Sequence, residues 1–235
     1  GQDNAYLNDS WAYTVMSYFD QGESNYFGDV RFVLGPQIAD IIALQDLYGA
    51  NTTTRSNDTV YGFNSTETDV HDFSQFTRAP SLSIFDTGGI DTLDFSGYSV
   101  AQRIDLNPEA FSDVNGIRSV ISIARGVIIE NAIGGLGVDT ILGNDANNVI
   151  TGNVGDDILN GGAGTDFAAY SGAQADYTIT QNADGSVTIT HNIVGGDGTD
   201  TLTNFEFARF ADGDVALVAD PTTPLTENPD VYTGT

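Results

Sequence analysis

Residues 133 to 170, IGGLGVDTILGNDANNVITGNVGDDILNGGAGTDFAAY, repeat a turn rich in Gly, Asp and Asn every nine residues. The repeat follows the pattern G-G-x-G-x-D-x-U-x, in which U is a bulky apolar residue. The four consecutive units begin at Gly134, Gly143, Gly152 and Gly161. Their sixth positions hold Asp139, Asn148, Asp157 and Asp166, and their eighth positions hold Ile141, Ile150, Leu159 and Ala168. The second and fourth units therefore depart from the pattern, at Asn148 and at Ala168.

The spacing within a unit predicts a six-residue turn followed by a three-residue strand. Glycines tolerate the positive φ angles of the turn, and the central side chain of the strand points inward. Two units complete one coil, so turns two units apart stack on the same edge. Asp139 is then expected about 4.8 Å from the level of Asp157, and Asn148 equally far from Asp166.

Stacked carboxylates repel each other unless a cation lies between them. Two turns offer main-chain oxygens and carboxylates, which together suit the six to eight oxygen ligands of Ca²⁺. We expect the edge with Asp139 and Asp157 to hold the better-formed site. The candidate ligands from the repeat are Gly134, Leu136, Asp139, Gly143, Asp145, Asn148, Gly152, Val154, Asp157, Gly161, Ala163 and Asp166. A fifth unit, GGDGTDTLT from Gly195 to Thr203, has no expected stacking partner, so its metal binding is left open.

The composition agrees with calcium and excludes several other partners. Seven Arg and no Lys face 33 Asp and Glu, which gives a formal net charge of −26. Nucleic acids and anionic membranes are poor partners for such a chain, and a compact acidic body favours bound counter-ions. The absence of Cys excludes disulfides and thiolate metal sites, which leaves oxygen ligands for a hard cation. No apolar run is long enough to span a membrane.

Other segments predict the surrounding elements. Residues 36 to 49 have the pattern of an amphipathic helix, with Pro36 in its first turn, Gly49 after its end, and Leu44 and Leu47 widening a buried face. Residues 175 to 192 predict a β-hairpin with Gly185 at positive φ, and residues 205 to 218 predict another strand pair. Residues 219 to 229 are rich in Pro and Thr and predict a linker.

Five further segments, in order along the chain, point to a family. They are YTVMSYF (13 to 19), QIADIIALQDLYGANTTTR (37 to 55), DTVYGFNS (58 to 65), GGIDTLDFSGYS (88 to 99) and GVIIENAIGG (126 to 135). Together with the repeat, they resemble the C-terminal half of serralysin-type secreted zinc metalloproteases (metzincins) with a repeats-in-toxin β-roll.

The resemblance implies a mainly β fold, in which a parallel calcium-binding β-roll with flanking antiparallel strands follows the last helix of an α+β catalytic domain. The implied division is residues 1–50 for the end of the catalytic domain, 51–218 for the roll, and 219–235 for a linker or truncated tail.

The resemblance also assigns roles to individual residues. Met16 matches the methionine beneath the zinc ion, and Tyr18 matches a tyrosine that can approach the zinc. A first calcium site before the repeat is implied at Arg55, Asn57, Thr59, Asp86, Gly88 and Asp91. A second is implied at Gly89, Asp91, Ile128 and Glu130. Asn57 stands where glycine is usual and Ile128 where threonine is usual, and both would still offer main-chain oxygen.

The zinc motif H-E-x-x-H, which supplies zinc ligands and the general base, is absent. The two histidines, His71 and His191, are far apart in sequence, and we interpret them as surface or hairpin residues. Zinc is therefore expected only in an intact protease, and this chain alone should be inactive.

The sequence thus predicts the C-terminal part of an extracellular zinc metalloendopeptidase whose roll binds several Ca²⁺ ions for folding, stability and secretion. The implied partners are polypeptide substrates, through the missing catalytic half, and a type I secretion machinery, and we expect a monomer. The alternative is a non-catalytic calcium-binding module for folding or adhesion. Such a module would have no reason to carry the segments at 13–19 and 40–51. A serine hydrolase is excluded by the lack of a G-x-S-x-G motif.

Overall fold

The structure is a computed structural model, and it describes residues 10–17 and 33–217. Within these residues the chain forms one α-helix, α1 (Ile38–Tyr48), and sixteen short strands in two sheets. The strands are β1 (Val60–Gly62), β2 (Leu82–Ile84), β3 (Thr92–Asp94), β4 (Arg103–Asp105), β5 (Phe111–Val114), β6 (Ile117–Ile123), β7 (Asn131–Ile133), β8 (Thr140–Leu142), β9 (Val149–Thr151), β10 (Ile158–Asn160), β11 (Phe167–Ala169), β12 (Tyr177–Gln181), β13 (Val187–His191), β14 (Thr199–Thr203), β15 (Phe207–Phe210) and β16 (Gly213–Ala216). The predicted mainly β fold is confirmed.

The chain alternates between the two sheets as it passes through the repeat. One sheet has the order β1-β3-β7-β9-β11-β15-β16, and the other has the order β12-β13-β14-β10-β8-β4-β5-β6-β2. Strands β7 and β9 pair in parallel with Asn131 opposite Val149, and β8 and β10 pair in parallel with Thr140 opposite Ile158. Equivalent strands are thus two units apart, which confirms that two nine-residue units complete one coil of a parallel β-roll.

The core of the roll lies between the sheets and is built from the middle residue of each short strand. Ile141, Ile150 and Ala168 have no exposed surface, and Leu159 is 1% exposed. Their strand neighbours are only partly buried or exposed, because successive side chains of a strand point to opposite faces. Burying each Ile or Leu side chain contributes about 1.5–3 kcal/mol to stability. The eighth position of the repeat is therefore the core position, as its apolar pattern predicts.

Both predicted hairpins are present. Strands β12 and β13 pair antiparallel around a turn in which Gly185 has φ 89°. Strands β15 and β16 also pair antiparallel, with Phe210 opposite Gly213. The first hairpin extends the nine-stranded sheet beyond β14, and the second forms the edge of the seven-stranded sheet. The antiparallel strands therefore flank the parallel coils.

Helix α1 differs in part from its prediction. It begins after Gln37, whose main-chain N–H donates to Asp40 Oδ2 at 2.8 Å, so Pro36 precedes the helix instead of lying in its first turn. Gly49 follows the helix with φ 84°, as expected. The prediction of a wide buried face is wrong, since Leu44 is 49% exposed and Leu47 is 74% exposed. Periodicity alone marks an apolar face, whereas burial also requires a packed neighbour.

The fifth repeat unit also differs from its prediction. Strand β14, which belongs to this unit, pairs in parallel with β10, and Thr201 lies opposite Ile158. The expectation that this unit has no stacking partner is therefore wrong. The hairpin β12–β13 is inserted between β11 and β14, and β14 then continues the nine-stranded sheet beside β10. The sequence period is interrupted, but the coil is not.

Candidate metal sites

One edge of the roll carries a column of aspartates at the sixth position of the turns. The N–H of Asp139 donates to Asp157 Oδ1 at 2.7 Å, and the N–H of Asp157 donates to Asp200 Oδ1 at 3.0 Å. Asp139 in turn accepts the N–H of Gln102 at 2.7 Å. Each aspartate thus binds the main chain of the preceding coil. The three carboxylates are buried, at 0%, 1% and 1% exposure.

The opposite edge carries a similar column with a different composition. The N–H of Asn148 donates to Asp166 Oδ1 at 2.7 Å, and the N–H of Asp166 donates to Glu206 Oε2 at 2.8 Å. The side-chain amide of Asn148 donates to the carbonyl of Glu130 at 2.9 Å. A carboxylate could not make this last bond, so Asn148 adds a donor where the other column has an acceptor. The sequence reasoning missed Glu206, because it lies outside any recognisable repeat unit.

The predicted ligand positions separate cleanly by burial. The first-position glycines of the four units are all buried: Gly134, Gly143, Gly152 and Gly161. The third-position side chains are all exposed: Leu136, Asp145, Val154 and Ala163. The third position therefore contributes only main-chain atoms to the turn, while its side chain faces solvent. This explains why residues as different as Leu and Asp occupy the same place in the repeat.

Carbonyl oxygens of one turn lie directly over glycines of a neighbouring coil. A Cβ on Gly155, which has φ 152°, would lie 2.3 Å from the carbonyl oxygen of Gly137. A Cβ on Gly143 would lie 1.9 Å from the carbonyl oxygen of Gly161. Only glycine permits this approach, which brings main-chain oxygens into columns beside the aspartates. Columns of oxygen atoms are the ligand environment that Ca²⁺ prefers.

The predicted site before the repeat also gathers acidic groups. Asp91 Oδ1 accepts the N–H of Thr59 at 2.8 Å, and Glu130 Oε2 accepts the N–H of Asp91 at 2.7 Å. Asp86 accepts the hydroxyl proton of Tyr61 and, through Oδ1, the N–H of Gly88 at 2.8 Å. Burial is the main cause that raises the pKa of Asp91, and the nearby negative charges of Asp86 and Glu130 raise it further. The geometry brings the two predicted sites together at Asp91.

The remaining predicted residues of this region present mainly backbone. The Asn57 and Ile128 side chains are exposed, with Ile128 at 53%. A Cβ on Gly89 would lie 2.6 Å from the carbonyl oxygen of Asn57, so these two turns are in close contact. Arg55 has φ 50°, and its guanidinium donates to the carbonyl of Phe85 at 3.2 Å. The exposed side chains at 57 and 128 therefore do not fill the region of the predicted site, and the carbonyl oxygen of Asn57 accepts the hydroxyl proton of Thr59 at 2.9 Å.

Burial raises the pKa of carboxyl groups in both regions. It raises the pKa of Asp91 and of Asp157 to about 7, of Asp166 to about 6 and of Asp200 to about 8. The pKa of Asp139 is also raised by burial, although the N–H groups of Gly135 and Gln102 oppose the shift. A buried carboxylate is costly in its charged form unless a cation or donor compensates it. These groups therefore favour either protonation or metal binding.

Two of the carboxylates have an oxygen with no partner. Within the described residues, Asp157 Oδ2 and Asp91 Oδ2 are buried and make no hydrogen bond. Among these residues, no group of three or more His, Asp or Glu side chains lies close enough together to hold a metal alone. Main-chain oxygens must therefore supply most ligands of any ion. The columns of carbonyl oxygens and the unpartnered carboxylate oxygens fit Ca²⁺ in this respect.

The residues that the resemblance connects with zinc are described only in part. Met16 is 78% exposed, and Tyr18 lies outside the described residues. His71 is 8% exposed and contacts Asp69 Oδ1 through Nδ1 at 2.6 Å. The side chain of His191 is 7% exposed and its Nδ1 accepts the N–H of Asp197 at 2.8 Å. The prediction that His71 is a surface residue is wrong, and only the hairpin part of the prediction holds for His191.

The comparison with known families decides the identity of the roll. The sequence profile of the family described as Peptidase M10 serralysin C terminal matches residues 50–218. The chain belongs to this family. The resemblance to the serralysins, predicted from short segments and from the repeat, is thereby confirmed. No helix within the described part of the serralysin-like chain has the length and apolarity needed to cross a membrane.

Named serralysins are similar to much of this chain. Serralysin of Photorhabdus laumondii subsp. laumondii is 52% identical over 144 residues, which cover 60% of this chain and 30% of that protein. Serralysin C of Dickeya chrysanthemi is 48% identical over 141 residues, covering 60% and 29%. Serralysin of Proteus mirabilis is 50% identical over 143 residues, again covering 60% and 29%. The chain thus matches about three tenths of the length of these relatives.

Proposed function

We propose that this chain is the C-terminal part of an extracellular zinc metalloendopeptidase of the serralysin type, and that its roll binds several Ca²⁺ ions for folding, stability and secretion. The family match over residues 50–218 supports the assignment to the protease. The observation that carries the calcium role is the column of buried aspartates 139, 157 and 200 beside stacked main-chain oxygens. The proposed division of the chain is 1–50 for the end of the catalytic domain, 51–218 for the roll and 219–235 for a linker or tail.

The roll's own residues determine how calcium would act. The aspartates hold neighbouring coils together through main-chain hydrogen bonds, but their burial opposes the charge that they carry at neutral pH. A cation that binds only the folded roll removes this penalty and shifts the equilibrium toward the folded state. Extracellular calcium modules typically have dissociation constants of about 10⁻⁴ to 10⁻³ M. Such affinities keep a chain unfolded in a low-calcium cytosol and fold it outside the cell.

The proposed ligands are those predicted from sequence, with carboxylates from the sixth positions and main-chain oxygens from the first and third positions of each turn. The sites before the repeat would use Asp91 with Asp86 or Glu130, because these groups lie together. Met16 and Tyr18 are proposed to belong to the zinc site of the intact enzyme. Zinc would there polarise the scissile carbonyl and activate a water molecule. The histidines of this chain do not supply that site.

The intact enzyme would act on polypeptide substrates, and a type I secretion machinery would export it unfolded. A non-catalytic calcium module would share the roll but not a protease domain. The test is the intact mass and metal content of the native parent protein isolated from culture medium. We expect a mass about three times that of this chain's matched portion, with both zinc and calcium. A parent that contains calcium but no zinc and no further domain would contradict the protease assignment.

A further inference from the structure

The third turn of the aspartate edge is divided between two distant parts of the sequence. Strand β11 ends at Ala169, so Tyr170 follows it where Gly152 follows β9 in the previous coil. The turn is completed only after the hairpin, where Asp200 precedes Thr201 as Asp157 precedes Ile158. We call Tyr170–Ser171 together with Asp197–Asp200 the split turn. It occupies the position that an uninterrupted turn would occupy in the roll.

The two halves of the split turn are fastened to each other and to the hairpin. Ser171 Oγ donates to Asp197 Oδ1 at 3.0 Å, which joins the halves directly. Tyr177 of strand β12 donates its hydroxyl proton to Asp197 Oδ2. His191 of strand β13 accepts the N–H of Asp197 at 2.8 Å. The carboxylate of Asp197 is thus fully occupied by protein donors, and it is a positioning group.

The second half of the split turn stacks on the preceding turn as closely as other turns do. A Cβ on Gly198, which has φ 91°, would lie 1.8 Å from the carbonyl oxygen of Gly155. The N–H of Gly155 donates to the carbonyl of Asp197 at 3.3 Å, and Asp156 Oδ1 accepts the N–H of Thr199 at 2.9 Å. The stacking of main-chain oxygens therefore continues across the hairpin insertion.

An unpartnered carboxylate oxygen lies between these two turns. Within the described residues, Asp157 Oδ2 is buried without a hydrogen-bond partner, in a residue that is 1% exposed. Asp157 lies next to the buried carboxylate of Asp200, which accepts its N–H at 3.0 Å. Burial raises the pKa of Tyr170, as do the charge of Asp200 and a hydrogen bond to it, so the Tyr170 hydroxyl faces Asp200. A cation would satisfy the free oxygen of Asp157 beside this carboxylate.

We propose that a Ca²⁺ ion binds between the turn 152–157 and the split turn, held by the carboxylates of Asp157 and Asp200 and by main-chain oxygens of both turns. The hairpin β12–β13 assembles this site, because its Tyr177 and His191 position the returning chain. The inference extends the proposed calcium role by one site and rests on it. The fifth repeat unit is then the partner of the third unit. Their paired aspartates, Asp200 and Asp157, are 43 residues apart in sequence.

The direct test is the number of Ca²⁺ ions bound by the full chain and by its Asp200→Asn variant. Asn still accepts the N–H of Asp157 but removes the charged ligand. We expect equilibrium dialysis with metal analysis to give one ion fewer for Asp200→Asn at saturating calcium. Asp184→Asn is the matched control, because Asp184 is exposed in the hairpin turn, and it should retain the full number. Equal numbers in Asp200→Asn and the unchanged chain would overturn this inference while leaving the proposed function intact. An unchanged chain that binds no calcium would overturn both.

If the Asp200→Asn variant fails to fold, the site is tested by a second measurement with Tb³⁺. Tb³⁺ substitutes for Ca²⁺ and emits when a nearby tyrosine is excited. Tyr170→Phe keeps both carboxylates, so it should bind as many Tb³⁺ ions but lose part of the tyrosine-sensitised emission. Tyr48→Phe is the control, since Tyr48 is 82% exposed at the end of α1, and it should retain the emission. Unchanged emission from Tyr170→Phe at full Tb³⁺ occupancy would overturn the site.

Discussion

The main-chain N–H of Asp139 donates to Oδ1 of Asp157 at 2.7 Å, although the two residues are 18 positions apart. The same relationship joins Asn148 to Asp166 on the other edge, also at 18 positions. Each sixth-position side chain therefore binds one coil to the next with one oxygen. In Asp157 the second oxygen has no partner within the described chain. The structural role and the proposed metal role of this residue thus use different atoms.

Asp157→Asn separates these two roles. Asn can still accept the N–H of Asp139, but it removes a charged calcium ligand and a buried carboxylate whose pKa is raised to about 7. We expect the calcium concentration needed for folding to rise on the order of tenfold, equivalent to about 1.4 kcal/mol. In calcium-free buffer at pH 8 the variant should be at least as stable as the unchanged chain. Circular dichroism during calcium titration measures the first effect.

The control for this prediction is Asp46→Asn, because Asp46 is exposed on α1 and only a long ion pair, 3.8 Å, joins it to Arg125. It should leave the calcium midpoint unchanged. An Asp157→Asn variant that is destabilised equally with and without calcium would show a purely structural role.

Gly155→Ala tests the close stacking of turns. The residue has φ 152°, and its Cβ would lie 2.3 Å from the carbonyl oxygen of Gly137, so the coils would have to separate. Gly126→Ala is the matched control, since Gly126 has φ 78° but nothing within 4 Å of its Cβ position. We expect Gly155→Ala to lower the free energy of unfolding by about 1–3 kcal/mol more than Gly126→Ala does. Urea denaturation in saturating calcium measures the difference, and equal losses would contradict the stacking argument.

The pH dependence of stability follows from the raised carboxylate pKa values. Asp91, Asp157, Asp166 and Asp200 bind protons more tightly in the folded chain, with pKa values of about 6 to 8 against about 3.9 when unfolded. Their contribution to stability is fully present below pH about 4 and is lost between there and the folded pKa of each group, about 6 to 8. Between its unfolded and folded pKa, each group costs about 1.4 kcal/mol of stability per pH unit. The calcium-free chain should therefore be more folded at pH 5 than at pH 8.

Saturating calcium should remove most of this pH dependence, because a metal-bound carboxylate carries no proton in the folded chain. The stability gained from calcium is thus expected to grow from pH 5 to pH 8. Far-UV circular dichroism of chelated and calcium-loaded protein at both pH values tests the sign. A calcium-free chain that is more stable at pH 8 would refute the link between burial and charge.

The isolated chain should have no zinc-dependent peptidase activity. It contains two histidines and no H-E-x-x-H motif, and both imidazoles are largely buried in separate environments. We expect no hydrolysis of casein above background after incubation with zinc and calcium. An intact serralysin at equal concentration is the positive control. Zinc-dependent cleavage by the purified 235-residue chain would mean that the metal ligands have been misassigned.

The local period of the sequence was enough to predict the roll, because strand length, turn length and the inward residue repeat together in Ile141, Ile150 and Leu159. It was not enough to find the third coil. A hairpin separates Asp200 from Asp157 by 43 residues, and Glu206 follows Asp200 too soon for another nine-residue unit. Burial was also harder to predict than pattern. Leu44 and Leu47 are exposed and His71 is buried, because each depends on neighbours that are distant in sequence.

Removal and restoration of calcium test the central claim most directly. Far-UV circular dichroism of the full chain should lose most of its β signal after calcium is chelated at pH 8. The signal should return when calcium is restored at millimolar concentration, and magnesium at the same concentration should not restore it. A spectrum that is identical with and without calcium would contradict the account of the roll as a fold completed by calcium.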